Sequence, residues 1–128
     1  MTDLVLDTNA LIYAVADSRV LTTTARAAIA DPDNALLASS VSIYEVGIKH
    51  AKGRLPFGAP EFRAACEPLG VAFRAPGAEI MARAAVLDWT ERDPWDRIVA
   101  ATAIEAAGGR VVTRDRAFDA LAAVERIW

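Results

Sequence analysis

The chain has 128 residues, of which 54% are hydrophobic and 24% charged, and its formal net charge is −3 at pH 7. This length predicts a single domain over residues 1–128, and the composition excludes a disordered chain. The longest apolar run, Ala10 to Ala16, is far shorter than the ~18 residues that span a bilayer, so we expect no membrane segment. A lone cysteine cannot form an internal disulfide, which fits a reducing cytoplasm. The N-terminus has no basic region before an apolar stretch, so we expect no secretory signal and predict a cytoplasmic protein.

Short apolar runs alternate with helical stretches along the chain. The elements predicted in its first half are a strand at Asp3 to Leu6, helices at Ala10 to Ala16 and Thr23 to Ala30, a strand at Ala35 to Ala38, and a helix opened by Ser39 that ends near Ala51. Those predicted in its second half are a helix at Pro60 to Leu69, a strand at Val71 to Phe73, a helix at Ala78 to Trp89, a helix opened by Asp93-Pro94 and ended by Gly108-Gly109, a strand at Arg110 to Thr113, a short helix at Arg116 to Leu121 and a strand at Val124 to Trp128. This alternation predicts an α/β fold, a three-layer α/β/α sandwich around a short, mainly parallel sheet.

Four acidic residues fall where such a sheet binds ligands, beyond the carboxyl ends of its strands. Asp7 follows the first strand, Asp115 lies two residues past the fourth, Glu45 is on the helix after the second, and Asp96 is in the first turn of a helix. A shared sheet edge would bring all four together. Clustered carboxylates repel one another unless a cation neutralises them, and Mg²⁺ accepts such oxygen ligands. The pattern therefore predicts a Mg²⁺ or Mn²⁺ site for phosphate chemistry.

Each acid also has a purely structural interpretation. Asp7 is a suitable helix cap, Ser42-Ile43-Tyr44-Glu45 matches a capping box, Asp93 and Asp96 suit a helix start, and Asp115 suits a turn. A phosphotransfer domain with Asp7 as the nucleophile is a weaker alternative, because no phosphate-binding glycine loop follows it.

The same residues fit an ordered family pattern. The segment from Leu4 to Ile12 resembles the opening motif of PIN domains, and Ser42 to Glu45 resembles their second motif. Asp93 to Ala103 resembles the third motif, in the version common among VapC-type toxins, and Val112 to Asp115 followed by Phe118 resembles the fourth. The resemblance implies a PIN-like fold and a metal-dependent ribonuclease that is the toxin of a type II toxin–antitoxin pair.

Residue roles follow from this resemblance position by position. It implies that the four acids form the metal pocket, that Thr8 or Asn9 orients Asp7 or a metal-bound water, and that Thr113 acts in the same way near Asp115. Asp93 would be an auxiliary acid or a helix cap, and we favour the cap. One position departs from the pattern, because Glu91 stands where many relatives have histidine.

Basic side chains near the acids are candidate contacts to the RNA backbone. We predict this role for Lys49, Lys52 and Arg54, although a solvated helix end explains them equally well. We expect Arg97, beside Asp96, to contact phosphate or to pair with an acid.

The expected reaction is in-line hydrolysis of an RNA phosphodiester by a metal-activated water. A ribonuclease with a catalytic histidine pair is excluded, because His50 is the only histidine. The resemblance further implies a homodimer and a cognate VapB-like antitoxin whose tail occludes the acidic groove. The alternative function is a non-catalytic PIN-like binding module with a structural metal ion.

Overall fold

Five β-strands and six α-helices alternate along residues 2–128, the part of the chain that this computed structural model describes. In chain order they are β1 (Thr2–Leu6), α1 (Thr8–Val15), α2 (Thr23–Ala30), β2 (Asn34–Ser39), α3 (Val41–Ala51), α4 (Ala59–Cys66), β3 (Ala72–Arg74), α5 (Ala78–Val86), α6 (Pro94–Ala106), β4 (Arg110–Val112) and β5 (Glu125–Ile127). Two short 3₁₀ segments, Glu67–Leu69 and Arg116–Ala120, follow α4 and β4. No helix within residues 2–128 has both the length and the apolar character to cross a membrane.

The strands form one sheet in the order β3-β2-β1-β4-β5, and every pair is parallel. In β1, Leu4 and Leu6 pack against α1 to α4, while Val5 points to the other face and packs against α6. Alternate residues of a strand point to opposite faces, so β1 is covered on both sides, as expected for the middle of a parallel sheet. The predicted α/β fold with helices on both faces is confirmed.

Most predicted elements differ from the observed ones by only a few residues. The helix predicted to reach Leu69 ends as α4 at Cys66 and continues as a 3₁₀ segment, and α5 also ends three residues early. It ends at Val86, whereas the sequence predicted a helix as far as Trp89. Leu87 leaves the helix with an extended ψ of 129°, and the indole of Trp89 turns toward Phe118, with ring centroids 5.0 Å apart. A tertiary contact thus ends the helix early, although the helical pattern continues.

The order of the strands places a candidate binding edge between β1 and β4. The chain builds the sheet outward from β1 to β3, then crosses back through α5 and α6 to add β4 on the other side of β1. In parallel sheets, ligands bind outside the carboxyl ends of the strands at such a switch point. The N-termini of α1 and α6 lie at this same edge, because each helix runs antiparallel to the strand beside it in sequence.

Candidate active site

Asp7 lies at the switch point, directly after β1, and its carboxylate is held from two sides. Its Oδ1 accepts a hydrogen bond from the N–H of Ala10 at 2.8 Å, so that Asp7 is the N-cap of α1. Its Oδ2 accepts one from the Thr113 hydroxyl at 2.5 Å. Burial raises the pKa of Asp7 to about 6, and the charges of Glu45 and Asp115 add to this effect although both hydrogen bonds oppose it.

Thr113 connects the ends of β1 and β4. Besides donating to Asp7, its Oγ1 accepts a hydrogen bond from the N–H of Asp115 at 3.0 Å. Asp115 in turn caps the following 3₁₀ segment, where its Oδ1 accepts from the N–H of Ala117 at 2.9 Å. Both aspartates therefore have one carboxylate oxygen fixed by local backbone and are linked through one buried hydroxyl.

Glu45 is held by side chains from two helices. Its Oε1 accepts a hydrogen bond from the Thr8 hydroxyl at 2.9 Å, and its Oε2 lies 2.7 Å from Nζ of Lys49. The capping-box interpretation is wrong, because Ser40 is the N-cap of α3 and Ser42 lies inside the helix. Ser42 bonds to the Thr8 hydroxyl at 2.8 Å instead. Thr8 therefore orients Glu45, whereas the sequence predicted that Thr8 or Asn9 orients Asp7 or a metal-bound water.

Asp96 is the centre of the acidic cluster. Carboxylate oxygens of Asp96, Asp115 and Glu91 all lie within 4.8 Å of one another. Burial raises the pKa of Asp96 to about 7, and the charges of Asp93, Asp7, Asp115 and Glu91 act in the same direction. The electrostatic interactions of Asp7 and Asp96 thus connect all four predicted acids at one edge of the sheet.

Glu91 is a member of this cluster that the sequence analysis did not assign to the site. Its Oε1 accepts hydrogen bonds from the N–H groups of Arg92 and Asp93, both at 3.0 Å. Asp93 caps α6 through the N–H of Trp95 at 2.9 Å, as predicted. The available signal for Glu91 was its position two residues before the Asp-Pro pair.

The surface beside the acids combines negative and positive side chains. A depression of about 360 Å³ is lined by Asp7, Asn9, Tyr13, Arg114, Asp115 and Arg116. Asn9 and both arginines are largely exposed. Lys52 and Arg54 lie just past the C-terminus of α3 and are also exposed. Lys52 comes seven residues after Glu45, which corresponds to about 10 Å at the helical rise. Lys49 is instead paired with Glu45.

The structure does not support the expectation that Arg97 contacts phosphate or pairs with an acid. Its guanidinium donates four hydrogen bonds to backbone carbonyl oxygens between residues 84 and 91. Because an arginine has five N–H groups, little donor capacity is left for RNA. Within residues 2–128, the partners of the Arg97 guanidinium are therefore backbone carbonyls and not the neighbouring Asp96.

Comparison with known proteins identifies the family. The family model for the PIN domain matches residues 4–124. The chain belongs to the PIN domain family. Among solved structures, this PIN domain is similar to a chain in the crystal structure of VapBC2 from Rickettsia felis bound to a DNA fragment from their promoter. The TM-score is 0.69 at 16% sequence identity, and the match covers 99% of this chain and 100% of that chain. At this identity the likeness shows a shared fold, and no curated protein sequence matches this PIN domain.

Proposed function

We propose that this PIN domain is a Mg²⁺- or Mn²⁺-dependent endoribonuclease. The observation that carries the proposal is the convergence of Asp7, Glu45, Asp96 and Asp115, which are far apart in sequence, on the switch point of a parallel sheet. PIN domains are generally nucleases, and phosphodiester hydrolysis is a reaction for which a cluster of carboxylates around a divalent cation is suited.

The residues present fit a hard divalent cation. All the candidate ligands are carboxylate oxygens, which Mg²⁺ and Mn²⁺ prefer. Within residues 2–128, none of Asp7, Asp96 and Asp115 forms an ion pair with a basic side chain. Burial, and to a smaller extent the neighbouring carboxylates, raises the pKa values of Asp7 and Asp96, and a bound cation would offset both effects. When bound, a divalent cation supplies a nucleophilic water at neutral pH and offsets the charge of the phosphate.

The side chains of this domain would keep the acids in place for that cation. Thr113 and the N-terminal turn of α1 fix both oxygens of Asp7, so that its position does not depend on the cation. Thr8 and Lys49 fix Glu45 in the same way. A preorganised set of ligands loses little conformational freedom on binding, which favours metal affinity and a defined geometry at the phosphate.

For the RNA backbone we propose the surface around the 360 Å³ depression. Arg114 and Arg116 border it next to Asp115, and their cationic groups are suited to phosphates on either side of the scissile bond. Lys52 and Arg54 are exposed and would extend this contact past the C-terminus of α3, whereas Lys49 would act through Glu45.

In a cellular setting we propose that the domain is a VapC-type toxin, cytoplasmic, and restrained by a cognate VapB-like antitoxin. The full-length likeness to a chain of a VapBC2 crystal structure supports this proposal. A homodimer is the proposed state of the toxin itself. Among residues 2–128, four large apolar side chains are exposed and available for such an interface: Val20, Tyr44, Met81 and Val86.

The test is cleavage of total RNA by the purified protein with Mg²⁺ or Mn²⁺, with EDTA, and after Asp7→Ala or Asp96→Ala. We expect cleavage with either metal, none with EDTA and none with either variant. A single-stranded DNA of matched length distinguishes a ribonuclease from a general nuclease. Undiminished cleavage by either variant would refute the assigned roles.

A non-catalytic binding module with a structural ion is the second candidate. It is favoured by the fact that Asp7 and Asp115 also cap helical segments, which alone would explain their presence. This candidate predicts that divalent metal stabilises the fold without any turnover of RNA.

A further inference from the structure

The guanidinium of Arg97 binds four backbone carbonyl oxygens in the chain that precedes α6. Its Nε donates to Ala84 at 2.9 Å and its Nη2 to Leu87 at 2.8 Å. Its Nη1 donates to Trp89 at 3.0 Å and to Glu91 at 2.7 Å. The planar fork of an arginine can reach four acceptors at once, which the single ammonium of a lysine cannot.

These acceptors lie at the end of α5 and along the segment of residues 87–93 that joins α5 to α6. The segment has two further attachments. The indole N–H of Trp89 donates to the carbonyl of Ala117 at 2.9 Å, beside its ring contact with Phe118. Oε1 of Glu91 accepts the N–H groups of residues 92 and 93. The position of the Glu91 carboxylate is therefore set by the backbone that Arg97 holds.

This restraint opposes an electrostatic force. Glu91, Asp96 and Asp115 have carboxylate oxygens within 4.8 Å of one another, and like charges at this separation repel. Asp96 is on α6 and Asp115 is fixed by its cap, whereas Glu91 is on a connecting segment. Without its attachments, residues 87–93 could relax and carry Glu91 away from the other two acids.

We propose that Arg97 is a positioning residue of the acidic site, which holds the 87–93 segment so that the Glu91 carboxylate stays beside Asp96 and Asp115. Arg97 contacts neither metal nor RNA in this role and acts through Glu91. The inference rests on the proposed metal-dependent nuclease function, and it assigns to Glu91 the contribution of a fifth carboxylate to cation binding.

The experiment is a double-mutant cycle read out as Mn²⁺ affinity by isothermal titration of the full chain. Outer residues that orient metal ligands typically contribute about 10- to 100-fold in affinity. We expect Arg97→Lys and Glu91→Gln each to weaken Mn²⁺ binding about tenfold, and the double variant to bind no more weakly than Glu91→Gln alone. Cleavage of RNA by Arg97→Lys should show a lower kcat with KM unchanged. Arg92→Lys is the matched control, because the Arg92 side chain makes no hydrogen bond within residues 2–128, and its Mn²⁺ affinity should equal that of the wild type.

Trp89→Phe is a second variant in case Arg97→Lys does not fold. It removes the N–H donor to Ala117 and keeps an aromatic ring, and we expect a few-fold loss of Mn²⁺ affinity that disappears in the Glu91→Gln background.

Losses of Mn²⁺ affinity that multiply in the double variants would show a general structural role and overturn the inference. A raised KM for RNA with unchanged Mn²⁺ affinity would make Arg97 an RNA contact and also overturn it. A wild-type protein that binds no Mn²⁺ would refute the proposed function itself, whereas unchanged affinity in Arg97→Lys, with the wild type active, refutes the inference alone.

Discussion

Replacing Asp96 by asparagine should stabilise the metal-free protein while it abolishes cleavage of RNA. Asp96 lies among four other carboxylates, and the pKa of its side chain is raised from 3.8 to about 7. Asparagine has nearly the same shape and carries no charge, so it removes the repulsion and the cost of burying an ion. It also removes a ligand that the proposed metal site requires.

The magnitude follows from this pKa. At about 1.4 kcal/mol per pH unit, the raised pKa corresponds to a penalty of about 4 kcal/mol when the carboxylate is fully ionised. Because Asp96 is partly exposed, solvent screens its interactions, and we expect about half of this, ~2 kcal/mol. In the folded state the Asp96 carboxyl keeps its proton up to about pH 7, whereas in the unfolded chain it keeps its proton only up to about pH 4. The folded state thus binds more protons in this window, and the wild type loses stability as the pH rises through it.

The assay is urea unfolding in EDTA at several pH values between about 4 and 8. The free energy of unfolding of Asp96→Asn should equal that of the wild type near pH 4 and exceed it by ~2 kcal/mol at pH 8. Asp88→Asn is the control, because Asp88 is exposed and its side chain makes no hydrogen bond in the described chain; its effect should stay within about 0.5 kcal/mol at every pH. An Asp96→Asn variant that is no more stable than the wild type at pH 8 would refute the electrostatic reasoning.

Three further results are expected. Thr113→Val leaves the Asp7 carboxylate and the Asp115 N–H without their shared partner, so urea unfolding should show a free energy of unfolding lower by about 1–3 kcal/mol. Thr113→Ser keeps the hydroxyl and should lose only a small part of this stability. Lys52→Ala should raise KM for RNA and weaken the salt dependence of binding by about one phosphate contact, whereas Lys49→Ala should lower kcat because Glu45 loses its ion pair. Steady-state kinetics at several salt concentrations would separate the two effects, and identical effects of both variants would count against this division of roles. Mg²⁺ at 100 times its Kd should add about 2.7 kcal/mol to stability in thermal unfolding, and an unchanged Tm would argue against a site in the folded state.

The sequence predicted the fold well because its local signals and its overall pattern agree. Alternation of short apolar runs with helical stretches was sufficient for the parallel sheet, and Asp93-Pro94 identified the start of α6 at the residue where it begins. The end of α5 was predicted too late. Its helical pattern continues to Trp89, and only contacts with residues distant in sequence, such as Phe118, draw that side chain out of the helix.

The site could be predicted where position along a strand determines it. Asp7 and Asp115 follow two adjacent parallel strands, so their proximity follows from the topology. Partners that depend on side-chain direction could not be predicted in this way. The environment of Glu45 includes Thr8, which is 37 positions away, and the capping-box pattern suggested a local partner instead. Arg97 likewise turns away from its neighbour Asp96 toward the backbone of the preceding segment.

The central claim is that the acidic edge between β1 and β4 is a divalent-cation site. The most direct measurement is the position of the Mn²⁺ anomalous scattering peak in crystals grown or soaked with this ion. The account predicts a peak about 2.0–2.2 Å from carboxylate oxygens of Asp96 and Asp7 or Asp115, and no peak there in Asp96→Asn. A protein saturated with Mn²⁺ whose only peaks lie away from these three carboxylates would contradict the account.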